Sequence, residues 1–169
     1  MNKKLATLAS AAAMIWLAAG AARAQSSATQ STTVSARVLA KIQLVKNSDL
    51  NFGDLVAGAA AGTVVVSNAG ARSATGGVTL AVGTVSAATF TVTGEPSKSY
   101  TITVPASVTL NGPAGATMLV NAFSLNPASP ATLSAGGTQN LGIGATLNVG
   151  ANQVTGSYTN TFNVIVAYN

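Results

Sequence analysis

Neither cysteine nor histidine occurs anywhere in this chain of 169 residues. Without cysteine, a fold outside the cell must hold together with no disulfide. The two absences together exclude a Ser-His-Asp triad, a Cys-His pair and a histidine zinc site. Charge is also scarce, at 7% of residues against about 25% in ordinary globular proteins. Only three acids remain, Asp49, Asp54 and Glu95. Glycoside hydrolysis needs two of them about 5–9.5 Å apart. Each reads instead as a solvated turn residue: Asp49 and Asp54 flank Leu50-Asn51-Phe52-Gly53, and Glu95 sits in a Gly-Glu-Pro turn. Asp49, Asn51 and Asp54 lack the dense acidic loop and bidentate glutamate of a calcium site. Lys98, between two serines in a polar turn, reads as a hydrated lysine and not a base. Gly142-Ile143-Gly144 has neither the lysine nor the following helix of a phosphate loop. The sequence therefore implies no catalytic residue, no metal ligand, no cofactor and no enzyme activity.

Long apolar runs are scarce as well, and the one present lies at the start. Asn2-Lys3-Lys4 is a positive lead, Leu5 to Ala19 is apolar and uncharged, and Ala22-Arg23-Ala24 has the small-x-small pattern of a cleavage site. Residues 1–24 read as a secretory signal peptide, with Gln25 the first mature residue. The run is short for a span of about 20 residues, so no stable membrane insertion is expected. Removing residues 1–24 leaves 145 of 169 residues, enough for one domain with a core. The only tryptophan, Trp16, leaves with the leader, and so do three of the eight basic residues. Five cations then face three acids, a net charge of +2. Scattered cations do not form the clustered patch that nucleic acid requires, so no nucleic-acid partner is expected.

What the chain does contain is alternation. Gln25 to Ser31 is small, polar and aperiodic, a flexible lead-in. From Thr32 to Leu44 apolar residues fall on one parity, Val34, Ala36, Val38, Ala40, Ile42 and Leu44. This spacing predicts one long strand, or two with a break near Ala40-Lys41. Further strands are predicted over Gly62–Ser67, Val78–Val82, Thr89–Thr93, Tyr100–Val104, Val108–Leu110, Met118–Leu125 and Gly142–Val149. They are separated by turns at Gly94-Glu95-Pro96-Ser97, Asn111-Gly112-Pro113 and Gly150-Ala151-Asn152-Gln153. Gly70 and Gly76-Gly77 bracket what reads as a polar loop. No segment after the leader has helical periodicity, and Gly136-Gly137 argues against a helix over Ser134–Leu141. Many short strands between Gly and Pro turns indicate an all-β sandwich, with a single barrel the alternative.

The last stretch, Gly156 to Asn169, places Tyr158, Phe162, Val164, Val166 and Tyr168 on one face of a closing strand. No hairpin partner follows it, so its edge is a template for another chain unless something covers it. A spare alternating segment at Thr32–Leu39 and an uncovered edge at Gly156–Asn169 are the two halves of a strand exchange.

Val34-Ser35-Ala36-Arg37-Val38, Ile42 and Leu50-Asn51-Phe52-Gly53 resemble the N-terminal pattern of spore-coat-U-like pilins, the archaic chaperone–usher pilus subunits. Gly156-Ser157-Tyr158 and Phe162 to Tyr168 resemble their closing strand. Phe90-Thr91-Val92-Thr93-Gly94, Tyr100 to Pro105 and Gly144-Ala145-Thr146-Leu147 resemble a secreted bacterial family, domain of unknown function 4402. The second likeness covers nearly all of the chain after the leader, the first only its two ends. Those pilins usually have a cysteine near the first core strand, where this chain has Ile42 or a neighbour.

The pilin resemblance implies an immunoglobulin-like sandwich, residues 41–169, lacking its final strand, preceded by an arm over residues 25–40. It implies that Val34, Ala36 and Val38 plug a neighbouring subunit. The receiving groove would be formed by Ile42, Leu44, Phe162, Val164 and Val166. It further implies identical or related pilin subunits as partners, a periplasmic chaperone gripping the Tyr168-Asn169 end, an outer-membrane usher, and a cell-surface fimbria as destination. A shaft role is expected, since 145 residues leave no room for a second, binding domain. The competing expectation is a self-contained, monomeric secreted sandwich that binds a carbohydrate or surface ligand, with Thr32–Leu44 as its own first strand.

Overall fold

The computed structural model describes residues 26–169, so the signal-peptide reading of residues 1–24 lies outside the described residues. The chain divides into two units, Met1–Ala36 and Arg37–Asn169. Residues 26–36 are exposed and carry no regular secondary structure. The second unit is all-β and holds ten strands and one short 3-10 turn. The strands are β1 (Gln43–Ser48), β2 (Leu55–Val66), β3 (Arg72–Leu80), β4 (Ala88–Thr93), β5 (Ser99–Thr103), β6 (Ser107–Asn111), β7 (Thr117–Asn126), β8 (Ala131–Thr132), β9 (Thr138–Val149) and β10 (Ile165–Tyr168).

Two antiparallel sheets form a β-sandwich. The larger runs β1-β4-β9-β2-β3, with β7 also on β9 and β6 on β7. The smaller runs β10-β5-β8. β9 organises the larger sheet because it is paired on both edges. Ile143 lies opposite Ala88 of β4 and Leu125 of β7, and Leu147 lies opposite Val64 of β2 and Val120 of β7. Its inward residues Leu141, Ile143, Ala145, Leu147 and Val149 are each 2% exposed or less. On the other parity, a Cβ at Gly142 or Gly144 would collide with the backbone of residues 66–68. The Gly-x-Gly pattern is thus a close backbone crossing, which only glycine permits.

The core has two clusters. One gathers Phe52, Val64, Val66, Val78, Met118, Val120 and the second half of β9. The other gathers Phe90, Val92, Tyr100, Ile102, Leu133 and the first half of β9. Leu50 and Phe123 pack against both. Phe123 follows Ala122, whose φ is +47°, at a bulge where β7 slips register against β9.

Four expectations are corrected. Thr32–Leu44 is not a strand until Gln43. Residues 26–42 form no ladder, Val34 is 90% exposed and Val38 is 94% exposed. The closing strand is short: only Ile165–Tyr168 pairs, with β5, and Thr159 makes one bridge to Asn111. The interruption lies beside Pro105, where the chain passes from β5 of one sheet to β6 of the other and no N–H is available to donate. Residues 72–77 are strand, not loop, and the turn is confined to residues around Gly70. Glu95 is not solvated; its carboxylate pairs with Arg37 and its side chain is 14% exposed.

Candidate functional site

Two stretches of the chain lie close at their ends and make no backbone ladder with each other. One runs from Ala40 through β1 to Gly58, the other from Asn152 through β10 to Tyr168. They touch at both ends. Asn152 N–H donates to the Gly58 carbonyl at 2.8 Å, and the Tyr168 hydroxyl donates to the Ala40 carbonyl at 2.9 Å. Between these ties no hydrogen bond joins the two stretches among the described residues. β1 is an outer strand of the larger sheet and β10 an outer strand of the smaller, so each leaves one edge unpaired.

Part of the gap is a cleft of about 750 Å³. Its walls are residues 50–57 and residues 153–160 with Phe162, and its floor is apolar: Val108, Leu110, Met118, Val120 and Leu147. The first wall is held from behind by Arg72. Its guanidinium donates to the carbonyls of Phe52 (2.8 Å), Asp54 (3.1 Å) and Ala81 (2.7 Å). Asn51 bridges Ser86, and its side-chain oxygen accepts from Gly53 N–H at 2.8 Å, closing the turn that Gly53 makes at φ +70°. Arg72 therefore acts as a staple that joins three carbonyls of this wall and its neighbouring loop, one of which, that of Asp54, also accepts from Ala81 N–H at 3.0 Å.

The second wall depends on side chains as well. Thr159 and Asn111 exchange two backbone bonds of 3.0 Å, and Asn160 Nδ2 donates to the Thr109 carbonyl at 2.7 Å. The Tyr158 hydroxyl donates to the Val154 carbonyl at 2.7 Å and accepts from Gln153 Nε2 at 2.9 Å. The Tyr158 ring lies over Gly112, where any Cβ would meet it. Phe162 stacks on Phe123 with ring centres 5.1 Å apart and a 50° tilt, which pins this wall to β7.

All five residues expected to form a groove, Ile42, Leu44, Phe162, Val164 and Val166, pack against the second core cluster and are half-buried. Only Phe162 lines the cleft itself. Leu50, Leu55, Tyr158 and the floor residues were not anticipated as groove residues. Leu50 and Tyr158 carry a sequence signal, because both lie in the motifs that bear the pilin likeness. Val34 and Val38 are exposed, as is Ala36. Tyr168 is half-buried with its hydroxyl engaged, and Asn169 is exposed and donates from Nδ2 to Ser99 Oγ at 2.6 Å.

The acids offer little chemistry. Asp49 accepts from Lys46 Nζ at 2.6 Å on the surface, a pair of small energetic weight. Among the described residues no three of His, Cys, Asp and Glu come together. No helix among them is long and apolar enough to cross a membrane.

The family model described as Domain of unknown function (DUF4402) matches residues 42–168, and the chain belongs to that family. No curated protein and no solved structure matches it.

Proposed function

We propose that this member of the DUF4402 family is the structural subunit of a surface fimbria, and that the gap between residues 40–58 and 152–168 receives the arm of a second copy. The observation that carries the reading is the half-buried row Ile42, Leu44, Phe162, Val164 and Val166 beside a cleft with an apolar floor. A row of apolar side chains facing a core yet left half in water is what the absence of a flanking strand would leave. The occupant comes from the same sequence. Thr32–Leu39 alternates, and its Val34 and Val38 are 90% and 94% solvent-exposed. Eight residues in extended form span about 26 Å. Burying two valines and an alanine contributes on the order of 4–6 kcal/mol. Backbone ladders on both sides add to that, in the manner of strand addition to a sheet edge.

An empty groove is an aggregation hazard. The reading therefore calls for a carrier that covers it during secretion, a periplasmic chaperone, and for an outer-membrane usher that passes subunits to the growing end. It assigns no catalysis.

The test is complementation. A chain lacking residues 25–40 is mixed with a synthetic Thr32–Leu39 peptide, and the full chain is inspected by electron microscopy and on gels with and without boiling. The expected results are a rise in melting temperature with the peptide, filaments from the full chain, and a ladder that boiling collapses. A stable monomer indifferent to the peptide would favour a self-contained binding module. The cleft volume of about 750 Å³ lies within the range of small-ligand pockets.

A further inference from the structure

Four contacts converge where the arm meets the sandwich. The Arg37 guanidinium pairs with the Glu95 carboxylate. The other carboxylate oxygen of Glu95 accepts from Ala40 N–H at 3.0 Å. The Tyr168 hydroxyl donates to the Ala40 carbonyl at 2.9 Å and accepts from Glu95 N–H at 2.6 Å. Both backbone groups of Ala40 are thus engaged, one by the Gly94-Glu95-Pro96 turn and one by β10. Gly94 is part of the device, since a Cβ there would strike the Tyr168 hydroxyl. Gly94 N–H is itself fixed, donating to the Gly137 carbonyl at 2.9 Å.

The position of this tie has a consequence for assembly. Val38 lies between two tied residues, Arg37 and Ala40. In extended chain its Cα is at most about 7 Å from that of Ala40. A neighbour that takes Val38 into its groove must come up against the turn at residues 94–96 and the end of β10, because no slack chain separates them. Resting on the reading above, we infer that Arg37, Ala40, Glu95 and Tyr168 form a latch that fixes the root of the arm, so that successive copies meet face to face through a stiff junction without a free linker. The surface the neighbour meets is the pole formed by Glu95, Pro96, Tyr168 and Asn169. Glu95 is a positioning residue here: its carboxylate holds Arg37 and Ala40, and it acts on the inserted residues only through them.

The experiment compares filaments of the full chain with those of Glu95→Ala and Arg37→Ala. Bending stiffness is measured from electron micrographs, and exchange of the Ala40 amide hydrogen is measured in each variant. Arg37 is exposed and Glu95 largely covered, both lie outside the two core clusters, and the substitutions are independent breaks of the same latch. The expected result is that both variants still form filaments, that persistence length falls at least about twofold, and that Ala40 exchange in Glu95→Ala rises on the order of tenfold. Filaments of unchanged stiffness with unchanged Ala40 exchange would overturn the latch and leave the strand-exchange reading standing. Absence of filaments from the unsubstituted chain would overturn that reading, and the junction with it.

Discussion

β9 and the stretch from Phe162 to Tyr168 are written in the same alternating pattern, and they end in different states. The inward residues of β9 are 2% exposed or less. The inward residues Phe162, Val164, Val166 and Tyr168 are all half-buried. Hydrophobicity alone does not separate them, since Phe162, Val164 and Val166 are apolar, and valine and alanine are also fully buried in β9 at Val149 and Ala145. The difference is in the edges. β9 has β4 and β2 on one side and β7 on the other, while β10 has only β5. A side chain facing the core is sealed by its own neighbours in sequence and by those on both flanking strands, so losing one flank leaves the row partly in water.

Truncating one residue in each row sharpens this contrast most. Ile143→Ala removes a fully buried branched side chain and is expected to cost about 2–5 kcal/mol. That is a large share of the roughly 5–15 kcal/mol available to a domain, and it applies equally to free and assembled protein. Val164→Ala in a free copy should cost about 1 kcal/mol or less, because much of the side chain already meets water. In the filament its cost should grow. Urea unfolding of the free chain and thermal dissociation of filaments measure the two. Equal losses at both positions in the free chain would break the comparison.

The next test fills the open row from the other side. If residues 32–39 insert as proposed, Ala36→Phe places a bulky side chain in the middle of that segment, where overpacking obstructs insertion. Filament yield should collapse, and urea unfolding of the sandwich should stay within about 0.5 kcal/mol of the unsubstituted chain, as for a surface change. Filaments of normal length from this variant would refute the assignment of Val34, Ala36 and Val38 as inserted residues.

The strand content was legible because period-two alternation survives in β4, β5, β6, β7 and β9 almost residue for residue. The core-facing placement of Ile42, Leu44, Phe162, Val164 and Val166 was legible, since all five pack against one core cluster. The floor of the cleft was not, because Val108, Leu110 and Met118 belong to β6 and β7, and only the sheet topology brings them beside Leu50 and Tyr158. The paired length of the last strand was misread for the same reason. Alternation reports which face a residue takes, but a ladder needs a partner, and Pro105 withholds one. Gly76-Gly77 misled in the opposite direction. Gly76 has φ +68°, yet both residues stay in β3, because the bulged backbone at Ala60-Ala61 passes too close for any side chain. Glu95 was misread because a Gly-Glu-Pro turn gives no hint of an arginine 58 residues earlier.

Acid should loosen the root of the arm on the open side and spare the closed side. The Glu95 carboxyl is held below its usual range, chiefly by the Ala40 N–H, against a partial loss of hydration, and also by the positive charges of Arg37 and Lys98. With the folded value below the unfolded one, the stabilisation is fully present above the ordinary carboxylate range near 4.3. It is lost as pH falls through the lower, folded value. The Ala40 amide shift should follow that titration, while the amides of β9 stay unmoved. Glu95→Gln should abolish the transition at Ala40. A titration at Ala40 that survives Glu95→Gln would show that another group governs the tie.

The smallest effect separates two tyrosines that lie opposite each other, Tyr100 in β5 and Tyr168 in β10. Tyr168 uses its hydroxyl twice, toward Ala40 and Glu95. Tyr100 is fully buried, and its hydroxyl has no hydrogen-bond partner among the described residues. Burial also pushes its phenol pKa above the usual tyrosine value. A buried hydroxyl without a partner costs about 1–3 kcal/mol of desolvation, so Tyr100→Phe should leave urea stability unchanged or raise it by about 1 kcal/mol. Tyr168→Phe removes two bonds and should lower stability by about 1–2 kcal/mol at typical net values. The ring stays in place in both variants, so the two differ only in what the hydroxyl was holding. A substantial loss from Tyr100→Phe would mean that its oxygen has a partner in the folded protein, and that the contrast between the sealed and open sides does not extend to this pair.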